Sequence, residues 1–83
     1  MNLVFLGRLR EIAAPSMTRL TPPSDIRTLG ALKDWLARTE PALAEALDNG
    51  RVQYAVNQSL VRDPGHPLGA GDEIAFLPPM SGG

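Results

Sequence analysis

The sequence predicts an α+β domain, a mixed sheet with one main helix lying across it. Two short apolar runs of strand character, Leu3-Val4-Phe5-Leu6 and Ile74-Ala75-Phe76-Leu77, stand near the two ends of the chain. Between them, Leu29, Leu32 and Leu36 recur at helical spacing. Proline and glycine punctuation delimits each piece: Gly7, Pro15, Pro22-Pro23, Gly50 and Pro78-Pro79.

The elements follow in order. Leu3-Val4-Phe5-Leu6 is too short for a helix and carries Val and Phe, so it reads as a strand stopped by Gly7. Leu9, Ile12 and Ala13 fall on one helical face, which gives a short helix halted before Pro15. Ser16-Met17-Thr18-Arg19-Leu20-Thr21 mixes apolar and polar residues up to Pro22-Pro23 and is expected to be a second strand. Thr28 has the side chain of an N-cap and opens the main helix, with Trp35 beside its leucine stripe as a partly buried packing residue. Pro41 suits the first position of another helical piece carrying Leu43 and Leu47. Asn49-Gly50 closes that piece, with Gly50 placed for a left-handed conformation. Val52-Gln53-Tyr54-Ala55-Val56 alternates into an Asn57-Gln58 turn, and Leu60-Val61 forms a short return. Glu73-Ile74-Ala75-Phe76-Leu77 is the last strand. Neighbouring strands can pair as hairpins, but the helix must bridge two halves of one sheet. That arrangement is the β-grasp.

The chain has 83 residues, enough for one domain. A domain this small has little interior for a deep cofactor cavity, so chemistry belongs on its outside or at a partner. There is no cysteine, which excludes disulfide frameworks, thiolate zinc sites and thiol nucleophiles. Eight Lys and Arg against a net charge of −1 argue against a nucleic-acid surface. No apolar run approaches the roughly 20 residues of a membrane span, and the N-terminus lacks the basic flank of a signal peptide. The cytoplasm is the expected compartment. His66 is the only histidine and sits between Gly65 and Pro67 in a turn, so no metal site is expected. Asp72 and Glu73 point to opposite strand faces and cannot act as a paired acid and base. Lys33, the only lysine, is expected on the solvated helix face, and Arg8, Arg10, Arg51 and Arg62 as surface charge.

The tail Pro78-Pro79-Met80-Ser81-Gly82-Gly83 carries the functional information. Two prolines cannot continue a ladder and favour a stiff, extended exit. Gly82 and Gly83 lack Cβ atoms, so walls can close on their backbone from both sides. Six extended residues reach roughly 20 Å, which makes a thin peg ending in a carboxylate. The expected division is a domain over residues 1–77 and a flexible tail over 78–83 that enters the active site of another protein.

Particular residues carry a resemblance. Ala55-Val56-Asn57-Gln58-Ser59-Leu60-Val61, Pro67-Leu68 and the run Gly71-Asp72-Glu73-Ile74-Ala75-Phe76-Leu77-Pro78-Pro79-Met80-Ser81-Gly82-Gly83 resemble the small subunits of molybdopterin synthase. The opening Val4-Phe5-Leu6-Gly7-Arg8-Leu9-Arg10-Glu11 is similar to the first strand of the same ubiquitin-like β-grasp family. Many members place two aromatics before the proline pair. Phe76-Leu77 stands there in this chain, a departure that bears on partner affinity. The resemblance implies a sulfur carrier with no permanently bound cofactor. Gly83 matches the glycine that an activating enzyme adenylates with ATP and that a sulfur donor protein converts to a thiocarboxylate. The synthase large subunit then accepts the tail, in a heterotetramer of two small and two large subunits, and sulfur passes to cyclic pyranopterin monophosphate for the molybdenum cofactor. The carrier is a sulfur-donating co-substrate within an enzyme whose catalytic groups lie on the other subunit. Alternatives are a carrier for thiamin or tRNA thiolation, and a ubiquitin-like modifier conjugated through Gly83.

Strand alternation adds an expectation of its own. If Phe5, Ile74 and Phe76 meet the helix, Leu6 and Leu77 face away from it on neighbouring terminal strands. With Leu60 they are expected to form an exposed patch that docks the large subunit and aims the tail.

Overall fold

A computed structural model of the chain describes residues 1–48 and 50–79. The chain runs β1 (Asn2–Phe5), α1 (Arg8–Ala13), a 3-10 helix (Ala14–Arg19), α2 (Leu29–Thr39), α3 (Pro41–Leu47), β2 (Gln53–Val56), β3 (Ser59–Val61) and β4 (Glu73–Leu77). The strands form one mixed sheet in the order β1-β4-β2-β3. The terminal strands β1 and β4 pair in parallel, with Phe5 opposite Phe76, while β2 runs antiparallel to both β4 and β3.

The helices cover one face of this sheet. Leu29, Leu32 and Leu36 of α2, Leu43 and Leu47 of α3, and Leu9 and Ala13 of α1 join Leu3, Phe5, Tyr54, Val56, Ile74 and Phe76 in a single core. Phe76 is its centre. Its ring stacks on Phe5 at 4.5 Å between centroids and meets Tyr54 edge-on at 5.6 Å, both favourable aromatic geometries. Trp35 packs partly buried against the same core.

One expected strand is a helix. Residues 14–19 wind into a 3-10 helix with Pro15 in its first turn, whose fixed φ suits that place. Ala13 and Ser16 lie three residues apart and are both buried, the one-sided spacing of a helix, while Met17 is exposed. The segment is tied across the fold. The buried Ser16 hydroxyl donates to Glu40 Oε2, and Arg19 donates to Ser16 Oγ at 2.9 Å. Glu40 in turn caps α3 by accepting from Ala42 N–H. These bonds, the Ser16 hydroxyl first, hold the Glu40 carboxyl below the usual range. The consequence for the sheet is that β1 pairs on one side only.

The start of α2 behaves as its sequence implies: Thr28 Oγ1 accepts from Ala31 N–H at 3.1 Å. The segment around His66 completes the cap. The carbonyls of His66 and Pro64 accept from Leu29 and Gly30 N–H at 3.0 and 2.7 Å, so donors that a helix leaves unpaired are satisfied. Gly50 has φ +77, and Asn57 and Gln58 take positive φ in the tight β2–β3 turn. Asp72 braces that turn. Its carboxylate accepts from Asn57 Nδ2 at 2.9 Å and from Gly69 N–H at 2.8 Å, and these bonds lower its pKa.

Candidate functional site

The candidate site is the root of the C-terminal tail and the open face of the sheet beside it. Strand β4 lies between β1 and β2, so the element that launches the tail is hydrogen-bonded on both sides. It ends at Leu77. A central strand packed through Ile74 and Phe76, both fully buried, makes a rigid mount. Pro78 is half-buried and Pro79 exposed. Met80, Ser81, Gly82 and Gly83, on which the expected chemistry falls, lie outside the described residues, as does Asn49.

A residue to which the sequence alone assigned no part in the tail shapes its root. Gly7, at φ +56, lies against Pro78, and a Cβ at this position would stand 2.8 Å from Pro78 Cγ. Glycine therefore lets Pro78 sit close over the β1–α1 turn. The same turn is held to β4 by Leu6 N–H donating to Phe76 C=O at 3.1 Å.

The open face is read from the register. Val4 pairs with Ala75, Ala75 with Ala55, and Ala55 with Leu60, so an apolar row crosses all four strands. Leu77 pairs with Gln53 in the next row, and Leu6 continues β1 beside it. Leu60 is 61% exposed and Leu6 41%, while Leu77 is half-buried. Leu6 and Leu60 stand on the two outer strands, three strand spacings or about 14 Å apart. The three leucines are thus ridges on a shallow band floored by small side chains. Alternation alone placed Leu6 and Leu77. The floor of Val4, Ala55 and Ala75 emerges only from the pairing.

Lys33 departs from its expected place. It is half-buried, with Nζ 4.9 Å from the centroid of the Tyr54 ring. The Tyr54 hydroxyl is buried without a hydrogen-bond partner, and burial pushes its pKa up to about 12. Among the described residues no group of three or more His, Cys, Asp and Glu side chains could hold a metal ion. Among them, too, no helix is long and apolar enough to cross a membrane.

Comparison with known proteins now adds to this geometry. The family model described as "ThiS family" matches residues 3–83. The chain is 38% identical over 82 residues to the molybdopterin synthase sulfur carrier subunit of Escherichia coli, covering 99% of this chain and 98% of that one. It is 34% identical to the protein of the same name from Haemophilus influenzae, covering 100% of this chain and 99% of that one. Two crystal structures of small archaeal modifier protein 1 from Haloferax volcanii superpose with TM-scores of 0.74 and 0.70 at 24% identity. The first covers 98% of this chain and 96% of its own, the second 94% of each. At that identity the likeness speaks for the fold, which is the ubiquitin-like α+β arrangement.

Proposed function

Since this chain belongs to the ThiS family, alongside the molybdopterin synthase sulfur carrier subunits, we propose that it carries sulfur for molybdenum cofactor biosynthesis on its own C-terminal carboxyl group. The observation that supports this most directly is the mounting of the tail. A rigid central strand ends at Leu77 and meets two prolines, immediately before a sequence that finishes in Gly82-Gly83.

The chemistry follows from the group available. An α-carboxyl with a reference pKa of about 3.3–3.7 is an anion at neutral pH and a poor electrophile. In the adenylation step a Gly83 carboxylate oxygen attacks the α-phosphorus of ATP on an activating enzyme, and pyrophosphate leaves. The terminal sulfur of a donor persulfide then attacks the acyl carbon and AMP departs; a second thiol of the donor attacks the donor-side sulfur of the resulting acyl disulfide, which leaves a thiocarboxylate on Gly83 and a disulfide on the donor. That sulfur is a nucleophile needing no cysteine, in keeping with a chain that has none. The large subunit of the synthase takes up the tail and positions the thiocarboxylate against cyclic pyranopterin monophosphate. Confinement of this kind can supply much of the rate gain without a catalytic side chain on the carrier. The band of Leu6, Leu77 and Leu60 is the docking face that aims the tail.

Intact mass spectrometry tests the proposal. After incubation with ATP, the activating enzyme and a sulfur donor, the chain should gain the mass of one oxygen exchanged for sulfur. A version lacking Gly83 should gain nothing and should not support molybdopterin formation. Conjugation to lysines of other proteins would instead identify a modifier, and an unchanged mass of the intact chain would refute the carrier reading.

A further inference from the structure

The open face of the sheet changes character at the root of the tail. Extending the register one pair beyond Tyr54–Val61 sets Gln53 opposite Arg62, and one pair beyond Phe5–Phe76 sets Leu6 opposite Leu77. With Leu77 opposite Gln53, a row then crosses all four strands as Leu6, Leu77, Gln53 and Arg62. Alternation agrees: Val61 packs against the core and Leu60 is exposed, so Arg62 shares the face of Leu60. The neighbouring row of Val4, Ala75, Ala55 and Leu60 is wholly apolar. Gln53 and Arg62 are both exposed. They line one surface cleft with Pro78 and Pro79, and among the described residues no carboxylate lines it. Among those residues, neither side chain has a hydrogen-bond or ion-pair partner.

We propose that Gln53 and Arg62 form a polar corner of the docking face that grips one carboxylate of the large subunit, and so sets the orientation in which that subunit meets the leucines. The inference rests on the carrier reading above, because a subunit that takes up the tail must cover Leu77, and Gln53 is the cross-strand neighbour of Leu77. Chemistry decides the occupant. An apolar surface over Arg62 would strip water from a guanidinium and return no bond, which is a costly burial. A carboxylate accepts two parallel N–H bonds from the guanidinium fork and keeps lone pairs for the amide N–H of Gln53. Cross-strand neighbours hold their Cβ atoms about 4.5–5.5 Å apart, within reach of a shared acceptor. Leucine contacts are non-directional and tolerate rotation of one partner over the other. A bidentate pair at one corner removes that freedom, and it distinguishes a subunit that bears the carboxylate there from one that lacks it.

Calorimetric titration with the purified large subunit at low and high salt is the test. Arg62→Glu should bind at least about tenfold more weakly than wild type at low salt, because like charges then meet. Its deficit should shrink at high salt, since screening shortens from about 30 Å at 0.01 M to about 3 Å at 1 M. Arg62→Lys keeps the charge but not the fork, and should fall between the two. Gln53→Ala should weaken binding several-fold in the wild-type background and hardly at all in Arg62→Glu, since the two residues share one acceptor. Arg38→Glu makes the same change of net charge on α2, across the sheet from the open face, and should bind as wild type does. Thermal melting verifies that each variant is folded. A folded Arg62→Glu variant that binds as tightly as wild type, or no more weakly than Arg38→Glu, would overturn the inference while leaving the carrier reading intact. Failure of the wild-type chain to bind the large subunit would overturn both.

Discussion

Replacing Leu6 and Leu60 together with threonine isolates the docking face from the fold. Fully burying a leucine side chain is worth about 1.5–3 kcal/mol. Leu60 is 61% exposed and Leu6 41%, so partner docking has that fraction of each still to bury. The corresponding gains are about 0.9–1.8 and 0.6–1.2 kcal/mol, or about 1.5–3 kcal/mol together. At about 1.4 kcal/mol per tenfold this is roughly a 10- to 150-fold loss of affinity, nearer the lower end because threonine keeps one methyl. The free domain should hardly notice: both side chains are already largely in water, and threonine suits the β3 edge. Urea denaturation should place the variant within about 0.5 kcal/mol of wild type. Calorimetric titration with the large subunit then reads the docking energy. Met17→Thr is the control, since Met17 is 44% exposed but sits on the 3-10 helix away from the sheet, and it should bind normally. A double leucine variant that binds within about twofold of wild type, well inside the expected loss, would refute the assignment of this face.

Two further outcomes concern stability. Phe76→Ala removes the fully buried ring between Phe5 and Tyr54 and should cost about 3–5 kcal/mol, a large part of the total stability of a small domain. The urea midpoint measures it, and a loss below about 1 kcal/mol would show that the core is not centred there. Tyr54 sets an alkaline limit. Its folded pKa of about 12 lies above the ordinary value of 10.0, so its contribution is complete below pH 10 and is lost as pH rises towards 12. Tyr54→Phe should match or slightly exceed wild-type stability at pH 8, because an unpaired buried hydroxyl is removed, and should hold more of it at pH 11. Equal alkaline losses in the two proteins, followed by circular dichroism in urea, would contradict this.

Much of the fold was legible because its signals are local. Thr28 as a cap, the Leu29, Leu32 and Leu36 stripe, left-handed Gly50 and the alternation of β4 each depend on a few neighbouring residues. The misread segment, 16–21, shows where local reading stops. Its pattern fits a strand or a turn of helix, and the choice is made by Glu40, 24 residues away, which receives the Ser16 hydroxyl. Lys33 was misplaced for the same reason: the Tyr54 ring that holds it comes from another element.

The order of residue types along the chain was enough to define the peg: two prolines that end the ladder and two glycines that thin the backbone need no neighbour to act. Alternation likewise separated the buried side of β4 from its open side. Strand order and register belonged to tertiary structure. Only pairing across the sheet sets Ala55 and Ala75 between Leu60 and Val4, and only the closed fold seats Pro78 over Gly7 and brings Lys33 of α2 over the Tyr54 ring of β2. Backbone conformation is governed by adjacent residues, whereas a surface is assembled from segments that meet only when the core between them closes.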